Sequence, residues 1–168
     1  MADWVVLPLK SLDRAKSRLA PALPPGDRRR LMRAMVLDVL AACRAARRVD
    51  RVAIVTADPD WQALARAQGC DVIDELIEIG YPAAADLACR WLERRGDVRH
   101  VAVLPGDLPL LDAGELDQVM AALAEGARYV IVPSRDGQGT NCVAQRLPLE
   151  VPLRHGPQSF DRHLRLAA

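Results

Sequence analysis

The sequence is poor in aromatic side chains, which make up 4% of its 168 residues, whereas hydrophobic residues as a whole make up 51%. Acidic and basic residues nearly balance, 22 against 23, and this excludes the one-sided basic surface typical of nucleic-acid binding. No apolar run approaches the ~20 residues needed to cross a bilayer. The N-terminus also lacks a basic region followed by a long apolar run. We therefore expect a cytoplasmic protein that binds neither nucleic acid nor membrane, with a core of alanine, leucine and valine.

Closely spaced metal ligands are absent as well. The cysteines lie far apart and form no Cys-x-x-Cys pair: Cys43, Cys70, Cys89 and Cys142. We predict neither a disulfide framework nor a zinc site. The histidines His100, His155 and His163 do not pair at metal-ligand spacing, and we interpret them as structural or surface residues.

The sequence does contain a regular alternation of short apolar runs with helical patterns. Strands are predicted at 4–7, 52–55, 71–73, 101–104, 128–132 and 141–146. Between them, Asp58 followed by Pro59 predicts one helix start, and Asp112 with Glu115 predicts a capping box at another. A last helix is predicted at 158–166. This order predicts one α/β domain over 1–168, a Rossmann-like three-layer arrangement with a mostly parallel sheet.

In such a sheet, ligands bind beyond the carboxyl ends of the strands, which selects the loops at 8–18, 56–58, 80–82, 105–109 and 134–140. The first of these loops is basic. Four cations fall within nine residues directly after the first strand: Lys10, Arg14, Lys16 and Arg18. Arginine offers a planar fork to phosphate oxygens and lysine a compact charge. The loop could therefore neutralise a triphosphate, although charge alone is explained more simply by an ordinary basic loop.

Three further segments are candidates for chemistry. Asp107 follows an apolar strand directly, and its carboxylate suits a hard cation such as Mg²⁺, or alternatively only shapes the turn. In the segment 134–141, two glycines allow close backbone approach, and the Thr140 hydroxyl can bind an anion, although a plain turn explains the glycines equally well. The segment from Gly156 to Ser159 resembles a helix N-terminus, which favours an anion but is also explained by a simple cap.

Taken together and in order, these segments resemble one known family. The resemblance rests on Pro-Leu-Lys at 8–10, Ala-Lys-Ser-Arg-Leu at 15–19, Leu-Pro-Gly-Asp-Leu-Pro-Leu at 104–110, Gly-Thr-Asn at 139–141, and Gly-Pro-Gln-Ser-Phe at 156–160 with His163. This order is similar to that of the 2-phospho-L-lactate guanylyltransferase family, some members of which use phosphoenolpyruvate. The resemblance implies the nucleotide-diphospho-sugar transferase fold. It also implies an enzyme that joins GMP from GTP to a phosphorylated three-carbon acid in coenzyme F-420 biosynthesis.

The resemblance also implies roles for particular residues. Pro8, Lys10, Lys16 and Arg18 match the positions that hold the GTP phosphates, with Lys16 and Arg18 as the catalytic cations. Asp107 matches the metal aspartate, which implies Mg²⁺. The positions that hold the phosphorylated acid are matched by Thr140, Gly156 and Ser159.

Two departures from the family pattern keep alternatives open. This chain has Gly-Tyr-Pro-Ala at 80–83, where the family has Gly-Leu-Asn-Ala. Family members also continue past the region matching 160–168 with an Asp-x-Asp stretch that completes the metal site. We therefore expect a single nucleotidyltransferase domain that lacks the family's C-terminal end. The alternatives are another nucleotidyltransferase of the same fold, acting on a sugar phosphate or a molybdenum cofactor, and a degenerate, non-catalytic nucleotide-binding relative.

Overall fold

The computed structural model describes residues 1–156 and 158–167, and in these the chain forms a six-stranded sheet with helices on both faces. The strands are β1 (Ala2–Pro8), β2 (Arg51–Thr56), β3 (Asp71–Asp74), β4 (Val98–Val103), β5 (Tyr129–Pro133) and β6 (Thr140–Arg146). The helices are α1 (Pro25–Ala45), α2 (Pro59–Ala67), α3 (Tyr81–Arg95), α4 (Ala113–Ala124) and α5 (Ser159–Ala167). Short 3₁₀ turns at Leu12–Arg14 and Ser17–Leu19 lie in the loop after β1.

The strand order is β3-β2-β1-β4-β6-β5. β3, β2, β1 and β4 pair in parallel, whereas β6 is antiparallel to both β4 and β5. β5 therefore runs in the same direction as β4, and its carboxyl end lies at the same edge of the sheet. The predicted α/β class and mostly parallel sheet are confirmed. All the loops selected from the sequence follow strands that end at this edge.

Two apolar clusters cover the faces of the sheet. Val5 and Leu7 of β1 point to the face covered by α1, α2 and α4, and Trp4 and Val6 point to the face covered by α3. The alternation follows from the two-residue period of a strand. Because both faces are covered, β1 is buried from Trp4 to Pro8 and reads as a continuous apolar run.

The helix starts follow the sequence signals. Asp58 caps α2 by accepting from the backbone N–H groups of Asp60 and Trp61, and Asp112 with Glu115 forms a complete capping box on α4. The strand bounds shift by a few residues, with β4 beginning at Val98 rather than at 101. Helices within 1–156 and 158–167 are all too short or too polar to span a membrane.

Candidate active site

The basic loop after β1 is held in place by the start of α2. The Asp58 carboxylate, besides capping its own helix, accepts from the backbone N–H of Leu12 at 2.7 Å. The Trp61 indole N–H donates to the Lys10 carbonyl at 3.0 Å. Just before Lys10, the Leu9 N–H donates to the carbonyl of Val55 in β2 at 2.9 Å, which fixes the start of the loop. The loop therefore leaves the sheet in a defined direction, with the exposed Lys10 side chain at its start.

A second anchor comes from the segment between β3 and α3. Ser11 N–H donates to the Glu78 carboxylate at 2.9 Å, and Arg14 lies 3.5 Å from the same carboxylate. Nearby Glu75 is buried, and burial raises the pKa of its carboxyl group. The segments after β2 and after β3 thus both support the loop from Leu9 to Arg14.

Lys16 and Asp107 meet at the centre of the carboxyl edge. The Lys16 Nζ donates to Asp107 Oδ2 at 2.7 Å, although the two residues are 91 positions apart in the chain. Lys16 itself has a φ of 51°, in the left-handed region, between the two 3₁₀ turns. The contact is possible because β1 and β4 are neighbours in the sheet and each delivers its following loop to the same edge.

Gly106 explains how Asp107 reaches this position. A Cβ atom at Gly106 would overlap the Leu9 side chain and approach Val36 Cγ2 at 3.0 Å, and both side chains are buried. Only glycine lets the loop after β4 pass this close to the loop after β1. The glycine thus brings the Asp107 carboxylate within reach of Lys16.

On the other side of the edge, Thr140, Ser159 and His163 form a hydrogen-bonded cluster. Thr140 Oγ1 lies 2.9 Å from Ser159 Oγ and 3.1 Å from His163 Nδ1. The second ring nitrogen of His163 accepts from the backbone N–H of Arg154 at 2.8 Å. Ser159 and His163 are buried, and burial lowers the pKa of the His163 imidazole. From the sequence, His163 was interpreted as a structural or surface residue; its spacing of four residues from Ser159 puts both on one helix face but does not by itself indicate a hydrogen bond to Thr140.

Arg18 and Gly156 line one open cavity of about 920 Å³ together with residues of the β5–β6 loop. The backbone of Gly156 has a φ of 134°, which side chains rarely adopt. Pro157, which belongs to the same motif, and Ala168 lie outside the described residues. The structure therefore places a cation of the basic loop in one cavity with Gly156 and Gln158, although these residues are distant from it in sequence.

Pro8, Lys10 and Tyr81 line a separate small pocket. Tyr81 stands where the family has Leu in Gly-Leu-Asn-Ala, and its ring meets His155 edge-on at 4.7 Å between centroids. Within the described residues, the buried Tyr81 hydroxyl has no hydrogen-bond partner. Burial raises the Tyr81 pKa well above its ordinary value and lowers that of His155 to about 4. Both groups are therefore neutral at pH 7.

Asp107 is the carboxylate that the motif comparison assigns to a metal at the carboxyl edge of the sheet. In the part of the chain that the structure describes, no three acidic, histidine or cysteine side chains cluster at metal-binding geometry. Asp107 fits Mg²⁺ in a limited way, because this ion often takes one or two carboxylates and completes its shell with phosphate oxygens and waters.

Comparison with known proteins decides the family. The family model described as "Guanylyl transferase CofC like" matches residues 3–168. The chain belongs to the CofC-like guanylyl transferase family. The resemblance stated from the sequence motifs is thus confirmed, as is an enzyme of the nucleotidyltransferase type.

Individual relatives and structures agree with this CofC-like assignment. The phosphoenolpyruvate guanylyltransferase of Conexibacter woesei is 38% identical, over 99% of this chain and 75% of the relative. The 2-phospho-L-lactate guanylyltransferase of Methanothermobacter thermautotrophicus is 33% identical, over 98% of this chain and 70% of the relative. A protein from Desulfovibrio desulfuricans described as a nucleotide-diphospho-sugar transferase superposes with a TM-score of 0.74 at 16% identity, over 99% and 77%. A cytidylyltransferase from Leptospira borgpetersenii superposes with a TM-score of 0.61 at 14% identity, over 88% of this chain and 61% of that protein. These structures confirm the predicted fold.

Proposed function

We propose that this CofC-like protein transfers GMP from GTP to the phosphate of a phosphorylated three-carbon acid and releases pyrophosphate, within coenzyme F-420 biosynthesis in the cytoplasm. The observation that carries the proposal is the contact between Lys16 and Asp107 at the carboxyl edge of the sheet. It joins a cation suited to phosphate with a carboxylate suited to Mg²⁺, and the family to which the chain belongs is one of guanylyl transferases. Phosphoenolpyruvate is the first acceptor to test, because relatives at 38–40% identity carry that name.

The reaction is an in-line displacement at phosphorus. An oxygen of the acceptor phosphate forms a bond to the α-phosphorus of GTP. The bond from that phosphorus to the oxygen bridging to the β-phosphate breaks, and pyrophosphate leaves with the electron pair. Such a transfer depends on positioning and on charge stabilisation rather than on a protein nucleophile.

The residues at the edge divide this work. Lys10, Lys16 and Arg18 would hold the phosphates of GTP, with Lys16 and Arg18 neutralising the charge that develops on the departing pyrophosphate. Pro8 would shape the start of this loop, and its ring is buried at the end of β1. When bound, Mg²⁺ would supply further charge neutralisation to the phosphates from its position on Asp107.

The acceptor would bind on the opposite side of the cavity. Thr140 and Ser159 offer hydroxyl groups, and Gly156 leaves room for an anion to approach the backbone. Gly156, together with Gly139 next to Thr140 and Gln158 next to Ser159, lines the cavity that Arg18 also lines. The attacking phosphate would therefore be held between the start of α5 and the basic loop.

The test is a pyrophosphate-release assay with GTP and either phosphoenolpyruvate or 2-phospho-L-lactate, run beside CTP with a sugar phosphate. We expect turnover with GTP and one of the acids, and loss of that turnover on chelation of Mg²⁺ or in Asp107→Asn. Turnover with CTP and a sugar phosphate alone would contradict the proposal and favour the related nucleotidyltransferases. Tight GTP binding by calorimetry with no turnover would instead favour a non-catalytic relative.

A further inference from the structure

The direction of the hydrogen bonds in the Thr140–Ser159–His163 cluster follows from one backbone group. The Arg154 N–H lies 2.8 Å from His163 Nε2 and can only donate. His163 Nε2 must therefore carry a lone pair. A neutral imidazole then has its single proton on Nδ1, and this N–H donates to Thr140 Oγ1 at 3.1 Å.

This direction determines what the hydroxyl pair presents to a ligand. The pair has two hydroxyl hydrogens, and one of them is used in the 2.9 Å bond between Thr140 and Ser159. With His163 donating, the second hydrogen remains, and no further acceptor for it is found in 1–156 or 158–167. If His163 accepted instead, Thr140 would donate to the ring and Ser159 to Thr140. The pair would then offer only oxygen lone pairs, which repel an anion.

We propose that His163 is a positioning residue that orients the Thr140–Ser159 pair so that it offers one O–H donor to the anionic acceptor. The inference deepens the function proposed above and rests on it for the identity of the acceptor. His163 acts through Thr140 and does not itself touch the acceptor. A charge-assisted hydrogen bond of this kind is stronger than a neutral one, so its direction affects acceptor affinity directly.

The surroundings of His163 keep its ring neutral and fixed. The ring is fully buried, and burial lowers its pKa. His155 meets it edge-on at 5.2 Å between centroids and is itself kept neutral by burial. Tyr129 lies tilted against the ring at 6.4 Å. The imidazole therefore has the aromatic packing needed to hold one orientation.

The first test reads the tautomer and does not depend on turnover. Two-bond ¹H–¹⁵N correlation spectra of the folded protein with ¹⁵N-labelled histidine distinguish protonated from unprotonated ring nitrogens. Assignment of the His163 signals uses the spectrum of His163→Phe. We expect the His163 proton on Nδ1 at pH 7. A proton on Nε2 would overturn the proposal whether or not the protein transfers GMP.

The second test measures binding of phosphoenolpyruvate and GTP separately by calorimetry. His163→Phe keeps a ring but removes both hydrogen bonds, and we expect its Kd for phosphoenolpyruvate to rise tenfold or more with the GTP Kd within twofold of wild type. His163→Gln carries a carbonyl acceptor and an N–H donor on one planar group, and it should recover most of the loss. Tyr129→Phe is the matched control, since it removes a buried hydroxyl beside the ring and leaves the hydrogen bonds intact.

An unchanged phosphoenolpyruvate affinity in His163→Phe would overturn the proposal. An equal loss of GTP and acceptor binding would do so as well, because it would indicate general damage to the fold. Failure of the proposed function has a different signature: absence of turnover in the wild type with both acids, alongside the Nδ1–H tautomer.

Discussion

Lys16 combines an unusual backbone conformation with a central side-chain contact. Its φ of 51° is one that residues with a Cβ adopt at a cost of about 1 kcal/mol or more. In return, its ammonium reaches Asp107 at 2.7 Å. Backbone strain at a position whose side chain serves the site is typical of functional residues. Without a metal, Lys16 also neutralises a carboxylate that would otherwise stand alone beside the basic loop.

The first prediction separates the two properties of Lys16. Lys16→Ala should lower kcat/KM with GTP tenfold or more, where each decade is ~1.4 kcal/mol of transition-state stabilisation. Lys16→Gly should lose as much activity but unfold with a free energy higher than that of Lys16→Ala by about 0.5–1 kcal/mol, because glycine accepts the left-handed conformation freely. Steady-state kinetics and urea unfolding give these values. Arg94→Ala, an exposed cation at the far end of α3, is the control, and an equal effect there would exclude a specific role for Lys16.

Among the elements, α2 has a double function. Its first turn is capped by one oxygen of Asp58, and the other oxygen of the same carboxylate holds the Leu12 N–H. Trp61 in the same turn holds the Lys10 carbonyl. The helix therefore supports the sheet through its apolar face and the basic loop after β1 through its N-terminus.

The second prediction tests this double function with a matched pair. Asp58→Asn keeps an oxygen for the cap but turns an amide N–H₂ group toward the Leu12 N–H, so the loop anchor is lost. We expect near wild-type stability and a GTP KM raised severalfold. Asp58→Ala loses both contacts, and its free energy of unfolding should fall by a further ~1 kcal/mol, the usual value of an N-cap. Denaturant unfolding and GTP kinetics distinguish the two. Unchanged GTP kinetics in both variants would show that the loop holds its shape without Asp58.

At the scale of the whole molecule, the sheet order brings together loops that are far apart in sequence. β1 lies between β2 and β4, and β6 lies beside β4, so the loops after β1, β2 and β4 converge with the loop that leads into β6. The segment carrying His155 and α5 then closes over the α3 side, where Tyr81, His155, His163 and Tyr129 form a continuous row of rings. This row joins the last helix to the body of the protein.

The third prediction concerns the pH dependence of stability. Burial, and secondarily the electrostatic effect of the neighbouring His163 imidazole, lowers the His155 pKa from 6.5 to about 4 in the folded state. Between pH 4 and pH 6.5 the unfolded chain binds more protons at His155 than the folded protein does. The contribution of neutral His155 to stability is therefore complete above pH 6.5 and is lost as the pH falls toward 4. The shift in the His155 pKa can account for up to ~3 kcal/mol of the free energy of unfolding. His155→Phe keeps the edge-on ring contacts, and its unfolding free energy should fall less steeply over that range. Parallel curves for variant and wild type would contradict the assignment.

Much of the architecture follows from local signals. The apolar run of β1, the Asp58 cap and the Asp112–Glu115 capping box all appear where the sequence predicts them. These features depend on neighbouring residues only, and so they can be read without the fold. His163 was interpreted as structural or surface because nothing local distinguishes a buried packing histidine from one that orients a hydroxyl pair.

The sequence by itself determined the α/β class, the family and the position of a charged loop after the first strand, because hydrophobic period, caps and motif order are properties of short segments. Only the tertiary structure decided which side chains meet. Lys16 contacts Asp107 because β1 and β4 are adjacent and Gly106 allows their loops to approach. The His163 proton is directed toward Thr140 by a backbone N–H at Arg154. Contacts of this kind depend on strand order and on the path of whole loops, which no short stretch of sequence contains.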